Sequence, residues 1–592
     1  MIQRIAAHLR ASVWPALAAL IALIPVAGAF STTNVFYVRD LGLYFWPRHL
    51  WLRRAWSAGD WPLWDPYAAA GQSAVADALN QFFLLPVTIV RLLLPDVVGF
   101  NVWIAAPFPV VAVGTWLWLR HHVSPMAACV GAAIFSLAGP VVSSGNFPNL
   151  SWAVAMIPWV LWLADRAIER PGLRPVAALG ACVALQAVAG EPVTLAATGA
   201  LVLAYAAVFP ETGHGDTEAR SSVKIFFSVS PSLRGLWRRV GRVMAGLLLG
   251  ALLSAVQMVP MLWAASGSPR SDTLGDPLWS LHPLAFLETL LAHLFGHAYD
   301  GSLDRLPWVG GINQREPLLF SLYLGLGALV LALIGPSRPA QRRERRFWWA
   351  VAGVALICAL GEHTPIYPAL QSVVPVLRTF RFPVKYLVFS MLAIAALAAG
   401  GVDALFAHIR SQESMRRPRA LLAVVGAVSG PAALAGGLSF LRPDWMRAFW
   451  ELVARRADIP NPAVAAEWML GSSPPLLLGL ALFGLAVAML VIVVWQRHPM
   501  APLAAASLCV VAMVDPLMVN QDVHPTMAAS ALGPPAWTTV TRAHPEDRVY
   551  VGGRVSRRLG PRARRLEAID LPARFSADAE LAPQEAAALL SA

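Results

Sequence analysis

Apolar positions along this chain come in long unbroken runs, separated by short polar stretches that carry most of the arginines. A helix needs roughly 20 apolar residues to cross the hydrocarbon of a bilayer. On that measure the pattern predicts about thirteen crossing helices, near 12–30, 100–119, 125–143, 150–165, 175–190, 193–209, 243–264, 317–335, 348–361, 384–406, 420–440, 473–494 and 501–519. The run 82–94 is too short to cross comfortably, contains Pro86 and stops at Pro95, so it reads as a half-helix or re-entrant segment. Residues 41–56 place apolar and aromatic side chains on one face and Arg48, Arg53 and Arg54 elsewhere, the pattern of an amphipathic helix lying in the membrane interface. The first run resembles a signal-peptide core, but no clear small-residue cleavage site follows it, so it reads as an uncleaved first helix.

Composition narrows this further. The chain is 57% hydrophobic and 14% charged, against about 25% charged residues in soluble proteins. That argues for one all-α membrane domain, 1–519, with a first outer loop at 31–98 and a short tail or partial domain at 520–592 that includes a strand-like Arg548-Val549-Tyr550-Val551. The net charge of +12 sits in short loops between apolar runs, where the positive-inside rule places it, so nucleic acid is not an expected partner. With a cytoplasmic N-terminus and 82–94 not crossing, every strongly basic short loop falls on the cytoplasmic side; counting 82–94 as a span inverts that agreement downstream. The same count puts the C-terminus on the non-cytoplasmic side of the membrane. The four cysteines lie inside apolar runs and have no metal-ligand spacing.

The polar residues that could do chemistry gather in the expected outer loops. Asp40, about ten residues beyond the first helix, sits at the depth of a lipid head group, as a general base or as the cap of helix 41–56. Asp65, in Trp61-Pro62-Leu63-Trp64-Asp65-Pro66, reads as a turn residue; Asp77 is a second acid that a small rigid loop could return toward Asp40. Glu191, Asn146 and Asn149 flank outer turns, as substrate ligands or as turn and helix-end residues. Arg270, Arg378, Arg381 and Lys385 are cations on the outer side, against the usual bias, suited to phosphate oxygens or to snorkelling toward head groups. His293 and His297 are spaced to share a helix face but lack a third ligand, weak spacing for zinc.

These same stretches resemble the YfhO-type bacterial membrane proteins, which belong with the GT-C glycosyltransferases. The resemblance rests on Asp40 and the amphipathic helix after it, Gly59-Asp60-Trp61-Pro62-Leu63-Trp64-Asp65-Pro66, Gly71-Gln72 and Ala76-Asp77. It continues in Gln257-Met258-Val259-Pro260 leading to Ser268-Pro269-Arg270, Glu316-Pro317 leading to Tyr323-Leu324-Gly325, and Gly361-Glu362-His363-Thr364-Pro365 leading to Phe380-Arg381-Phe382-Pro383. It implies a GT-C-like bundle and a polyprenyl-phosphate-linked sugar as donor. The acceptor it implies is an envelope polymer, lipid or protein, glycosylated outside the cytoplasm. It carries over Asp40 as the base of an inverting transfer, with Asp77 or Asp65 as second acid. Arg270, Arg381 or Lys385 would then hold the departing phosphate, with membrane lipids around them. A divalent metal is left open. The competing classes are a transporter or flippase of a lipid-linked glycan, which calls for charges in mid-helix, and a non-catalytic envelope assembly factor.

Overall fold

The computed structural model describes residues 2–66, 71–209, 231–266, 278–297, 306–313, 316–335, 339–410 and 418–533. In chain order its helices are α1 (Ile2–Leu23), α2 (Trp46–Ser57), α3 (Leu85–Leu93), α4 (Asp96–Ala105), α5 (Pro107–Leu119), α6 (Pro125–Leu137), α7 (Gly139–Ser143) and α8 (Pro148–Glu169). There follow α9 (Leu173–Val188), α10 (Pro192–Val208), α11 (Pro231–Leu253), α12 (Ala255–Ser266), α13 (Leu306–Asn313), α14 (Leu326–Leu333) and α15 (Pro339–Leu360). The last are α16 (Ile366–Val373), α17 (Leu387–Arg410), α18 (Pro418–Leu441), α19 (Pro443–Arg456), α20 (Pro462–Trp495) and α21 (Ala501–Asn520).

Six continuous helical stretches among the described residues are long and apolar enough to cross a membrane: Val13–Phe30, Asp96–Leu119, Pro383–Arg410, Pro418–Leu441, Pro462–Trp495 and Ala501–Asn520. Counting three bent pairs as single spans raises this to nine. The chain is a multi-pass membrane protein.

The thirteen expected runs are therefore not thirteen straight helices. The run at 125–143 bends by 52° between α6 and the helical stretch that begins at Gly139; Ala138 is extended there and Pro140 has no N–H to continue the ladder. The run at 243–264 bends by 70° between α11 and α12, and the helix ending near 361 turns by 96° into α16 through Gly361, whose φ is +50°. Expected helix 317–335 is helical only over α14. Before it, Leu324 and Gly325 donate their N–H groups to the carbonyl of Thr289, and Tyr323 accepts from Gly139. An apolar run satisfied by neighbouring backbone need not be helix. Conversely α19, amphipathic with Trp445 and Phe449 exposed, is a helix that no long apolar run announces.

Small residues set the packing. A Cβ on Gly401 would lie 1.8 Å from the Leu331 carbonyl, so α17 and α14 touch backbone to backbone. A Cβ on Gly131 would lie 2.9 Å from Ala399, bringing α6 equally close to α17.

The contacts sort the loops into two ends. At one, Arg239 donates to Ala206 O, Arg242 to Ile168 O and Arg345 to the carbonyls of Ala332, Leu333 and Ile334, while His122 meets Asp165 and Glu344. This is the arginine-rich end. At the other, the first loop meets Phe147, Gly190, Trp279 and the segment 316–320, and residues 382–385 pack onto Trp279 and Glu191. Both ends of α3 belong to this second end: Gln81, just before it, donates to Ala189 O, and Asp96, just after it, accepts from His49. The segment does not cross. Beyond α21 the chain is stitched into the same end. Besides the short hairpin of β2 (Trp64–Asp65) and β3 (Gln72–Ser73) within the first loop, strands β1 (Asn34–Phe36) and β4 (Thr526–Ala528) pair antiparallel with Val35 opposite Met527, and the buried His524 contacts Asn146 and the Val142 carbonyl. Residues from 534 onward, including the strand-like 548–551, lie outside the described residues.

Candidate functional site

At the first-loop end the chain turns sharply after β1. Arg39 adopts φ +53°, and residues 41–45 form a π-helical turn in which Gly42 donates to the Tyr37 carbonyl at 3.0 Å. A Cβ on Gly42 would stand 2.5 Å from that oxygen, so only glycine fits. The turn sends Arg39 inward: its guanidinium donates to the Pro317 carbonyl at 2.6 Å, lies 3.6 Å from the Glu316 carboxylate and sits over the rings of Phe147, Trp279 and Phe320.

Asp40 is left exposed. It makes no side-chain cap to the turn that follows, and among the described residues its carboxylate has no hydrogen bond or ion pair. The surrounding protein mass nonetheless removes enough water to raise its pKa above the carboxylate range, against the opposing pull of Arg39.

Asp77 is placed differently. Its Oδ1 accepts from the Leu79 N–H at 3.1 Å, capping a short turn; its Oδ2 accepts from the Tyr44 hydroxyl and lies 3.2 Å from Arg48. Arg48 also reaches Asp65 at 3.6 Å, donates to Asn80 at 3.1 Å and covers the Tyr44 ring. Burial and the adjacent Asp77 push the Tyr44 hydroxyl far above its ordinary pKa. Asp65 is buried in this cluster. Arg48 therefore occupies the position between two carboxylates where a divalent cation would have to sit. Among the described residues no group of three or more His, Cys, Asp or Glu side chains could hold a metal. His293 and His297, whose rings are 4.4 Å apart, lie in turns and not on a helix; His293 has φ +54°.

Glu191 and Lys385 meet. Glu191 begins α10: Oε1 accepts from the Val193 N–H at 3.3 Å, while Oε2 lies 2.8 Å from Lys385 Nζ and 3.4 Å from Asn149 Nδ2. The turn before it requires Gly190, at φ +89°, because a Cβ there would lie 2.6 Å from the Ala78 carbonyl. The first loop thus presses on this turn next to Asp77. On the other side, Lys385 lies 4.9 Å from the Phe382 ring, which packs edge-on against Trp279 at 4.6 Å. Trp279 carries the Arg39 guanidinium and donates to the Glu316 carbonyl. These contacts close a ring that leaves the first loop at Arg39, passes through Trp279, Phe382, Lys385 and Glu191, and returns to it at Ala78.

Of the other expected site residues, Arg381 is half-buried against Phe382 and Arg378 is exposed on the turn Pro375–Thr379. Arg270 lies outside the described residues. Asn146 is fully buried and gives its oxygen to His524. Sequence reasoning missed Tyr44, Glu316 and Glu288, a carboxylate facing a cavity beside Trp279, and gave Arg39 and Arg48 no role at the site. Arg39 and Arg48 carried a faint signal, being arginines on the side where arginine is scarce.

No family model matches the chain, and no curated protein matches it. A solved structure that is similar is the crystal structure of ArnT from Cupriavidus metallidurans bound to undecaprenyl phosphate. It is 13% identical, with a TM-score of 0.39, over 90% of this chain and 80% of that one.

Proposed function

We propose that the chain is a GT-C-like glycosyltransferase of the bacterial inner membrane, taking a sugar from a polyprenyl-phosphate donor and passing it, with inversion, to an envelope polymer, lipid or protein. The observation that carries this reading is Asp40: an exposed carboxylate with no hydrogen bond or ion pair among the described residues, its pKa raised by the surrounding protein, at the first-loop end of a membrane bundle. It stands next to Arg39, which is tied by way of Trp279 and Phe382 to Lys385. A base needs a free lone pair and a pKa close to working pH, and Asp40 is the first-loop acid with both tendencies. The sequence resemblance assigns the same residue the same part.

In this mechanism Asp40 takes the proton of an acceptor hydroxyl as its oxygen attacks the anomeric carbon. The bond to the donor phosphate breaks, and its electron pair leaves with the polyprenyl phosphate. Arg381 and Lys385 stabilise the charge gathering on that phosphate; Glu191 and Asn149 hold Lys385 in place. Asp77 is a positioning residue, held by Tyr44 and Arg48, and keeps the first loop shaped around Asp40. The cytoplasmic side is then the arginine-rich end and the site faces outward.

The flippase reading calls for charges lining a path through the spans. Asp515, inside α21, is such a charge, but both its oxygens accept from the Tyr323 hydroxyl at 2.9 Å. Glycan analysis of the cell envelope, at matched protein levels, tests the proposal: Asp40→Asn abolishes a glycan modification that the wild type restores to a deletion strain. An unchanged glycan profile in Asp40→Asn sinks it.

A further inference from the structure

Beside the ring of contacts lies a chamber with a cavity volume of about 80 Å³, most of whose lining residues no step above uses. Trp279, Phe295 and Phe320 give it aromatic walls; His282, Glu288 and Glu316 are its ionisable groups. Among the described residues, no lysine or arginine lines it. His282 accepts from the Leu284 N–H through Nδ1, and burial together with the neighbouring His363 lowers its pKa to about 4, so it brings no positive charge. Glu316 is already matched by Arg39. Glu288 accepts one hydrogen bond, from the Phe295 N–H at 3.1 Å, and has no other partner among the described residues.

The electrostatics of the two neighbouring spaces are opposite. The Lys385–Arg381 side offers cations; the chamber offers carboxylate oxygens and aromatic faces. A phosphate would find no free charged donor among the described lining residues, because the Arg39 guanidinium beside the chamber is already matched by Glu316. A ring with several hydroxyls meets the reverse: acceptors for its O–H groups and flat apolar walls for its C–H faces. Val384 lines the chamber and directly precedes Lys385, and Trp279 lines it while touching both Arg39 and Phe382. The chamber therefore opens within one residue of each cation of the ring.

We propose that this chamber binds the uncharged, hydroxyl-bearing ring of a glycoside, with Glu288 accepting hydrogen bonds from its hydroxyls. As the sugar subsite of a transfer reaction it rests on the reading above; as a glycoside-binding site it stands on the chamber itself.

The test is saturation-transfer NMR on the full chain in lipid nanodiscs, with a panel of methyl hexopyranosides as probes and methyl phosphate as the anionic control. At least one glycoside should saturate, and methyl phosphate should give no chamber-dependent signal. Glu288→Ala and Ala285→Leu, the latter narrowing the chamber, should each weaken glycoside binding tenfold or more. Glu288→Gln keeps an acceptor oxygen and should weaken it less. Each variant is admitted only if it is monodisperse and melts cooperatively, so loss of folding cannot pass for loss of binding. Binding that is unchanged in all three variants, or no glycoside saturating the wild type, overturns the proposal. Asp40→Asn separates the two readings. If it loses transfer but binds the glycoside, both stand; if it keeps transfer, the base assignment falls while the chamber is judged on the Glu288 variants alone.

Discussion

Lys385 and Glu191 form a buried ion pair 2.8 Å long that joins the start of α17 to the start of α10. Glu191 is 3% exposed, so its charge has no water to fall back on. Removing one partner of a buried pair costs about 3–5 kcal/mol, chiefly by leaving the other charge unpaired. Lys385→Met should therefore destabilise the protein strongly, and Lys385→Met/Glu191→Gln should melt higher than Lys385→Met alone. Thermal unfolding of the purified variants checks this. A double variant that is no more stable than Lys385→Met would mean that Lys385 does not neutralise Glu191.

Asp40→Asn should lower the rate of transfer by about 10²–10⁴, the usual contribution of a general base. Because burial raises the Asp40 pKa, the wild-type rate should climb with pH through a limb above the ordinary carboxylate range and level off once the carboxylate is formed. An in vitro transfer assay across pH measures it; a rate that is flat from pH 4 upward contradicts the assignment.

Arg48 holds Asp65, Asp77 and Asn80 together. Arg48→Met leaves two carboxylates facing one another without a cation, at a cost of about 3 kcal/mol. Adding Asp65→Asn to that variant should recover part of the loss. Limited proteolysis of the first loop, read alongside melting temperature, reports whether the loop loosens as expected.

Burial raises the Glu288 carboxyl to about 7, whereas an unfolded glutamate titrates near 4.3. The folded state then holds its proton more tightly than the unfolded state. This contribution to stability is complete below the unfolded pKa and is lost as pH rises through about 7. Glu288→Gln escapes that loss. It should gain on the wild type, on the order of 1 kcal/mol, between pH 5.5 and pH 8. Paired melting curves at the two pH values check the sign; a gain at pH 5.5 that disappears at pH 8 reverses it.

The membrane pattern was legible because it is written in bulk composition. Arginines gather where the short loops around 166–174, 239–242 and 342–346 meet, and the expected half-helix 82–94 corresponds to α3, whose two ends both meet the first-loop end. What apolar runs do not specify is whether a buried segment is helical. Residues 317–335 read as one apolar span, yet the N–H groups of Leu324 and Gly325 find the Thr289 carbonyl, and Gly325 sits at φ +89°. Asp40 stood out through its position after the first helix. The partners of Asp77 and Glu191 did not, because an ion pair such as Lys385–Glu191 joins residues far apart in sequence and depends on how α10 and α17 come together. Glu288 gave no signal at all: a lone acid in a loop becomes notable only when the chamber around it is seen.

The pairing of β1 with β4 bears on the birth of the protein. Chains enter the membrane from the N-terminus during synthesis, so the first loop is delivered long before residues 526–528 exist. Its edge strand and the Asn146 oxygen must wait, without these partners, until α21 is inserted and residues 524–528 follow it. The end of the molecule that carries Asp40 is therefore completed late, and a chain halted before α21 would be anchored in the bilayer with an unfinished working face.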